Sequence, residues 1–253
     1  MAKLTFLGTG TSQGVPMIGC DCHVCRSSDP RDKRLRSSVL VEHEGLTILV
    51  DAGPDFRQQM LRARVSHLDA ILLTHNHKDH TGGLDDIRAF NYLENKASQI
   101  YCEKYVEDAL RMEYSYAFAE KKYPGAPEWD VHIIDEKPFS INGVEIIPIR
   151  GMHYKLPVLG YRFGNIAYCT DMNHIPEEEF AKLQGLDHFI INTVRHGKHI
   201  SHFALEEAVA VAQKVGAKHS WLTHLSHQLP CDSELATELP AGILPAYDGL
   251  VLE

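Results

Sequence analysis

The fold is decided by one stretch, Thr74-His75-Asn76-His77-Lys78-Asp79-His80, which places three histidines and one aspartate within six residues. The run 70–74 is short, apolar and bounded by charged residues, as is typical of a buried β-strand, so the cluster leaves the end of that strand. Imidazole and carboxylate groups suit Zn²⁺, Mn²⁺ or Fe²⁺, and four so close together are better shared between two ions than given to one. The alternative is a solvated loop that happens to be rich in histidine.

Three more potential ligands follow predicted strands downstream. His153 comes after the run 144–149, Asp171 after 166–169 and His224 after 219–223. In layered α/β folds, functional side chains gather on the loops at strand ends, where the rigid strands fix them. Each of these three alone could be an ordinary polar group. Beside the first stretch, they predict one shared metal site.

A second cluster lies near the start of the chain, at Cys20-Asp21-Cys22-His23-Val24-Cys25. Three thiols within six residues, in a chain expected to be reduced, predict a zinc site that lacks its fourth ligand. The alternative is a group of free loop cysteines. Residues 20–36 hold five Lys/Arg against three Asp, a local balance of +2, which fits either an anion-attracting lip or a solvated loop.

Bulk properties narrow the class of protein. A chain of 253 residues can form one α/β domain, and we expect a single domain over 1–253 with a zinc-binding loop at 14–36. The formal net charge of −9 argues against nucleic-acid or anionic-membrane partners. The chain shows no secretory signal and no apolar run of about 18 residues, so we expect a cytoplasmic protein without membrane contact.

The pattern His75-x-His77-x-Asp79-His80 with downstream His153, Asp171 and His224 resembles the metallo-β-lactamase superfamily, in particular its dinuclear phosphodiesterase branch. The segments Leu7-Gly8-Thr9-Gly10, Asp51-Ala52-Gly53 and Tyr247-Asp248-Gly249 fit the same pattern, so the resemblance covers nearly the whole chain. Cys20-x-Cys22-x-x-Cys25 with Thr223-His224-x-x-His227 is similar, within that branch, to the phosphodiesterase family of the carbon–phosphorus lyase pathway, which acts on a ribosyl cyclic phosphate. The fold implied is an αββα four-layer sandwich of two mixed β-sheets flanked by helices.

The resemblance also implies a role for each residue that matches the motifs. His75, His77 and His153 would bind one metal ion, Asp79, His80 and His224 a second, and Asp171 would bridge the two. His227 would join Cys20, Cys22 and Cys25 around a structural zinc. His202, in Ser201-His202-Phe203, matches the catalytic histidine of the family, and Asp79 and Asp171 would act with it.

The activity implied is a dinuclear metal-dependent phosphodiesterase, with two Mn or Zn ions and one structural Zn, acting on small cyclic phosphodiesters such as ribosyl 1,2-cyclic phosphate or 2′,3′-cyclic nucleotides. Three alternatives stay open: a tRNA 3′-processing endonuclease, a lactonase or thiolesterase of the same fold, and a non-catalytic coenzyme-biosynthesis accessory protein. The first would normally carry a tRNA-binding arm, and the last tends to lack the full histidine motif. The expected partner is a small phosphodiester, with a homodimer left open.

Overall fold

Two seven-stranded β-sheets lie at the centre of the computed structural model, which describes residues 2–253. In chain order the strands are β1 (Lys3–Gly8), β2 (Ser38–His43), β3 (Leu46–Val50), β4 (Ala70–Leu72), β5 (Ser98–Cys102), β6 (Trp129–Ile133), β7 (Phe139–Ile141), β8 (Val144–His153), β9 (Leu156–Phe163), β10 (Ile166–Cys169), β11 (His188–Asn192), β12 (His219–Thr223), β13 (Ile243–Pro245) and β14 (Val251–Leu252). The first sheet has the order β14-β1-β2-β3-β4-β5-β6, and the second has the order β13-β12-β11-β10-β9-β8-β7. Both sheets are mixed, because each joins parallel strands to antiparallel ones.

Helices cover the outer face of each sheet. The α-helices are α1 (His23–Arg26), α2 (Phe56–Ala63), α3 (Lys78–Thr81), α4 (Arg88–Glu94), α5 (Lys104–Glu113), α6 (Leu205–Val215) and α7 (Asp232–Glu238), with 3₁₀ turns at Pro30–Asp32, Leu84–Ile87, Ser115–Ala117 and Glu177–Leu183. Phe56 and Leu110 pack with the outer face of the first sheet, and Phe180 and Ala208 with that of the second. No helix among residues 2–253 has both the length and the apolar composition needed to cross a bilayer.

The two sheets bury their inner faces against each other. Phe6 and Ile48 of the first sheet belong to the same apolar cluster as Tyr161 and Tyr168 of the second. The Tyr161 hydroxyl donates to the Leu73 carbonyl oxygen at 2.7 Å, because a buried phenol needs a hydrogen-bond partner. The order of layers is therefore helix, sheet, sheet, helix, as the sequence predicts.

Two elements differ from the sequence-based expectation. The sequence predicts one helix over 104–122, but the helix ends at Glu113, because the next residue, Tyr114, turns inward. Its hydroxyl donates to the Thr81 carbonyl at 2.9 Å, and its ring packs edge-on against Trp129. The strand predicted over 144–149 continues to His153. Its hairpin partner starts at Leu156, whereas the sequence predicts a strand over 161–163 only.

The basic loop at 20–36 uses two of its arginines inside the molecule. Buried Arg34 donates to Asp232 at 3.1 Å and to Thr9 at 3.0 Å. Arg36 forms an ion pair with Asp55 at 2.9 Å. These contacts attach the loop to the rest of the fold. The positive charge of the two arginines is therefore partly neutralised and does not form an exposed anion-attracting surface.

Candidate active site

The side chains of the histidine motif meet those of the later strand ends at one edge of the two sheets. His75 and His77 follow β4, and His153 is the last residue of β8. Asp171 follows β10, and His224 follows β12. Asp171 and His224 adopt left-handed backbone conformations (φ 58° and 57°), and Asp and His are among the residue types most often found there. Such turned residues at strand ends cluster at functional sites.

The first ligand group consists of His75, His77 and His153. One ring nitrogen from each lies within 4.8 Å of the others, and the His75 and His77 ring centroids are 4.5 Å apart. His75 and His153 are buried, whereas His77 is exposed. The group therefore reaches from the interior to the surface.

The second ligand group consists of Asp79, His80, Asp171 and His224, whose ligand atoms also lie within 4.8 Å of one another. Asp171 Oδ2 is 3.3 Å from His80 Nε2, and its Oδ1 is 3.0 Å from His224 Nδ1. The same Oδ2 lies 3.9 Å from His75 Nε2, so Asp171 stands between the two groups. The structure thus brings all seven residues together. Their roles as ligands stay predictions.

Buried polar groups hold the far sides of the imidazoles. Asp51 Oδ2 lies 2.6 Å from His80 Nδ1, and His153 Nδ1 donates to the Ser201 carbonyl at 2.8 Å. Contacts of this kind fix the orientation of a metal-binding histidine and leave its other nitrogen free for the ion. The sequence places Asp51 at the carboxyl end of a predicted strand, where an aspartate could orient a metal-binding histidine, and the contact with His80 fits that role. Asp248 instead accepts from Thr9 and lies apart from the ligand groups.

Two further supports were not predicted. Thr74 Oγ1 lies 3.0 Å from His75 Nδ1, and Ser37 Oγ lies 3.2 Å from His224 Nδ1. Thr74 precedes the motif and could have been suspected from its place at the strand end. Ser37 is 187 residues from His224, and no sequence signal connects them.

The donor atoms fit divalent cations. Within residues 2–253, the buried Nε2 atom of His75 has no hydrogen-bond partner, which is costly unless another group binds it. Burial holds the pKa of His75 well below its usual value and lowers the pKa of His224 to about 4, so both imidazoles offer a lone pair at neutral pH. Burial acts to lower the pKa of His80 too, but Asp171, Asp79 and Asp51 raise it well above its usual value. That surplus of negative charge attracts a cation.

His202 faces the same space. Its Nε2 lies 3.3 Å from Asp171 Oδ2, and its ring stacks on His224 with centroids 4.9 Å apart. The helix α6 begins three residues later, where the Glu207 side chain accepts from the Ala204 N–H at 2.9 Å. His202 therefore lies just ahead of a helix N-terminus, as expected, and beside both ligand groups.

The four residues of the second predicted site also converge. The His227 Nδ1 atom lies 3.3 Å from Cys20 Sγ and 3.5 Å from Cys22 Sγ. Tetrahedral zinc with ordinary bond lengths separates sulfur and nitrogen ligands by about 3.5 Å. The backbone N–H of Cys25, and then His227, lower the pKa of the Cys22 thiol to about 6, which favours the thiolate that zinc requires. Donor type and spacing both fit zinc.

Two cavities bear on where a substrate would bind. One of about 500 Å³ adjoins the first ligand group and is lined by His77, His153, Tyr154, Lys155, Leu156, Ile200 and Ser201. A larger, mainly apolar cavity of about 570 Å³ lies between α2 and α4 and contains none of the candidate ligands. The smaller cavity is the relevant one, because chemistry requires access to the ligand groups.

Comparisons with known proteins agree with this architecture. Residues 47–225 match the β-lactamase superfamily domain. A crystal structure described as a new diphosphatase from the PhnP family is 42% identical, with a TM-score of 0.93 over 99% of this chain and 96% of that one. Zn²⁺-bound PqqB from Methylobacterium extorquens is 20% identical, with a TM-score of 0.81 over 99% of each chain, a likeness that shows the fold alone.

A longer relative is similar over half of its length. The octanoyltransferase of Porphyromonas gingivalis is 43% identical over 251 residues, which are 98% of this chain but 51% of that protein. The chain therefore spans about half of this curated relative. The family match and the 42% identical structure are the findings that identify the chain. It belongs to the β-lactamase superfamily and, within it, to the PhnP family.

Proposed function

We propose that this protein is a phosphodiesterase that hydrolyses small cyclic phosphodiesters, such as ribosyl 1,2-cyclic phosphate or 2′,3′-cyclic nucleotides. The observation that carries the proposal is the position of Asp171. Its carboxylate contacts His80 and His224 of one group, approaches His75 of the other, and lies 3.3 Å from His202 Nε2. Phosphodiester hydrolysis needs cations that neutralise the negative charge shielding the phosphorus, and a proton donor for the leaving group. The two ligand groups around Asp171 could hold the cations, and His202 could supply the proton.

The proposed metal complement is two Mn or Zn ions in the His/Asp groups and one structural zinc. His75, His77 and His153 hold the first ion, and Asp79, His80 and His224 hold the second, with Asp171 shared. When bound, such a pair supplies Lewis acidity and an activated water for in-line displacement. Cys20, Cys22, Cys25 and His227 form a closed set of four ligands, which is typical of structural zinc.

His202 acts on the leaving group in this proposal. The departing alkoxide of a diester is a strong base, so a proton from His202 Nε2 lowers the barrier, and such general-acid groups contribute about 10²- to 10⁴-fold. The partial positive charge of the α6 N-terminus favours the negative charge that accumulates beside it. His202 Nε2 lies 3.3 Å from Asp171 Oδ2, which places this nitrogen beside both ligand groups.

The remaining features of the proposal concern the whole chain. We propose one hydrolase domain over 1–253, in which the loop 14–36 carries the structural zinc, and a cytoplasmic protein with a small-molecule substrate. The net charge of −9 disfavours a nucleic-acid substrate. This charge is also the argument against the tRNA-processing alternative.

A diphosphate is the second candidate substrate, because the 42% identical structure is described as a diphosphatase. The same residues could serve either reaction, since both displace a group from phosphorus. The leaving groups differ: a phosphate leaves as a stable anion without a proton, whereas an alkoxide does not. The dependence on His202 therefore separates the two reactions.

The test is a substrate screen on metal-replete protein with the His202→Ala variant beside it. We expect hydrolysis of 2′,3′-cyclic nucleotides or ribosyl 1,2-cyclic phosphate, with kcat lowered by about 10²- to 10⁴-fold in the variant. Exposed His196→Ala is the matched control and should change little. Turnover of a nucleoside diphosphate alone, with little effect of the variant, would establish the second candidate instead. No turnover of any diester by metal-replete protein would reject the phosphodiesterase proposal.

A further inference from the structure

The turn between β8 and β9 combines an unusual backbone with an unusual side chain. His153 pairs with Leu156, so Tyr154 and Lys155 form a two-residue hairpin turn directly after a candidate ligand. Tyr154 has φ 57°, in the left-handed region. Two-residue turns that need a positive φ are dominated by Gly, Asn and Asp, and a bulky residue there is an outlier. Strained backbone conformations of this kind cluster at active sites and ligand-binding sites.

Neighbouring contacts hold this turn in place. The Tyr154 N–H donates to Asn173 Oδ1 at 3.1 Å, and Asn173 Nδ2 donates to the Ile200 carbonyl at 2.9 Å. Asn173 is two residues from Asp171, so the turn, the Ile200 loop and the candidate metal centre are connected. The backbone of the Tyr154 turn is therefore held in place beside the reaction space.

The ring is exposed on the wall of the cavity beside the first ligand group. Tyr154 is 52% exposed and Ile200 is 67% exposed, although both are large and apolar. Both line the 500 Å³ cavity whose other end is formed by His77 and His153. A cavity of this volume accommodates a ligand of nucleotide size. Its wall combines the Tyr154 ring, the aliphatic side chains of Leu156 and Ile200 and, at Lys155, one cation.

We propose that Tyr154 is a stacking platform for the base of a nucleotide substrate, with Ile200 extending its apolar surface and Lys155 neutralising an anionic oxygen. This inference rests on the proposed function and deepens it. It selects nucleoside 2′,3′-cyclic phosphates over ribosyl cyclic phosphate, which has no base. Aromatic rings stack on any base, so the preference is for the presence of a base rather than for one base.

The chain offers a sharp pair of variants for the test. Tyr154→Gly removes the ring and suits the left-handed backbone, whereas Tyr154→Phe keeps the ring. We expect Tyr154→Gly to raise KM for 2′,3′-cyclic AMP roughly tenfold, which corresponds to the loss of one stacked base. The KM for ribosyl 1,2-cyclic phosphate should stay unchanged, and kcat should change less than about twofold on either substrate. Tyr154→Phe should resemble the wild type.

The melting temperature Tm shows whether Tyr154→Gly weakens nucleotide binding directly or by destabilising the fold. Because glycine relieves the left-handed strain, Tyr154→Gly should raise Tm while it weakens nucleotide binding. A lower Tm, an equal change of KM on both substrates, or no change on either would overturn the inference.

Binding also separates this inference from the proposed function. If the wild type hydrolyses neither cyclic substrate, the proposed function fails. Calorimetry with adenosine 3′-phosphate still tests the platform, because it needs no turnover. Weaker binding to Tyr154→Gly than to Tyr154→Phe would support the platform, and equal affinities would reject it.

Discussion

The Cys/His cluster takes three of its four side chains, Cys20, Cys22 and Cys25, from one six-residue loop, whereas the His/Asp cluster collects seven side chains from four strand ends. In the first, three of the four residues are only half-buried. In the second, most are buried, and polar groups such as Asp51 hold the far sides of the rings. The Cys/His cluster needs one residue from outside its loop, His227, while the His/Asp cluster requires the complete fold.

This difference matches the proposed assignment of the Cys/His cluster as structural and of the His/Asp cluster as catalytic. Four ligands close the coordination of zinc, whereas catalytic sites keep a position open for water or substrate. The His/Asp cluster adjoins a cavity and His202, as a catalytic site must. The two clusters meet at the segment His224–His227, where His227 Nδ1 lies 3.3 Å from Cys20 Sγ of the loop. The zinc loop thus supports a segment that also carries a candidate catalytic ligand.

Loss of Asp171 should give the largest effect and be confined to one cluster. Asp171→Ala removes the carboxylate shared by both ligand groups, so we expect kcat to fall by roughly 10³-fold or more. Steady-state assays on the cyclic diester measure this, with circular dichroism to verify folding. Exposed Asp135→Ala is the control. Activity within tenfold of the wild type would mean that Asp171 is not shared between two ions.

Substitution of Asp51 tests whether the polar groups behind the imidazole rings contribute to metal affinity in the His/Asp cluster. Asp51→Asn weakens the 2.6 Å contact with His80 Nδ1, and losses of such partners typically reduce metal affinity about 10- to 100-fold. Titration against a competing chelator measures the affinity, and Asp130→Asn, at an exposed carboxylate, is the comparison. Unchanged affinity would show that the orientation of His80 is set by other contacts.

The Cys/His cluster should affect stability more than chemistry. We expect Cys22→Ser to lose zinc and to lower Tm by roughly 5–10 °C. Loss of the zinc should lower the free energy of unfolding by a few kcal/mol, and each kcal/mol corresponds to about 2–4 °C in a chain of this size. Differential scanning calorimetry measures Tm, and Asp21→Ser in the same loop is the control. At 20 °C, kcat should fall less than about tenfold, since the variant leaves all seven His/Asp ligands in place. If kcat fell more than about tenfold while Tm stayed unchanged, the Cys/His cluster would be catalytic rather than structural.

The smallest effect is expected at Ser37, which supports His224 through one neutral hydrogen bond. Ser37→Ala should reduce metal affinity about fivefold, the value of a bond worth about 1 kcal/mol. The same chelator titration applies, with exposed Ser140→Ala beside it. A loss of metal affinity as large as that of Asp51→Asn would show that the Ser37–His224 and Asp51–His80 contacts contribute equally to metal binding.

Local signals explain what the sequence could predict. The helix α6 and the strand β12 were expected over the residues that form them, because Gly216 ends the helix in the left-handed region (φ 66°). The strand ends that carry the ligands were found because chemically distinctive residues follow short apolar runs. The start of β9 was missed, since Pro157 and Gly160 interrupt the strand pattern. Gly160 is needed there because a Cβ would lie 2.7 Å from the Tyr168 carbonyl oxygen.

Long-range contacts explain what the sequence could not predict. Spacing alone indicates that His75 and His77 belong together, but the grouping of ligands around Asp171 came only with the family resemblance. The Ser37–His224 contact joins residues at opposite ends of the chain and left no local pattern. The strain at Tyr154 depends on the hairpin register, which the sequence did not predict.

Metal content of the wild type, Asp171→Ala and Cys22→Ser, measured by plasma mass spectrometry, tests the division between the two clusters most directly. The account predicts roughly three ions per chain in the wild type, about one zinc in Asp171→Ala and about two ions in Cys22→Ser. A single ion in the wild type, or the same loss in both variants, would contradict the existence of one structural and one dinuclear site.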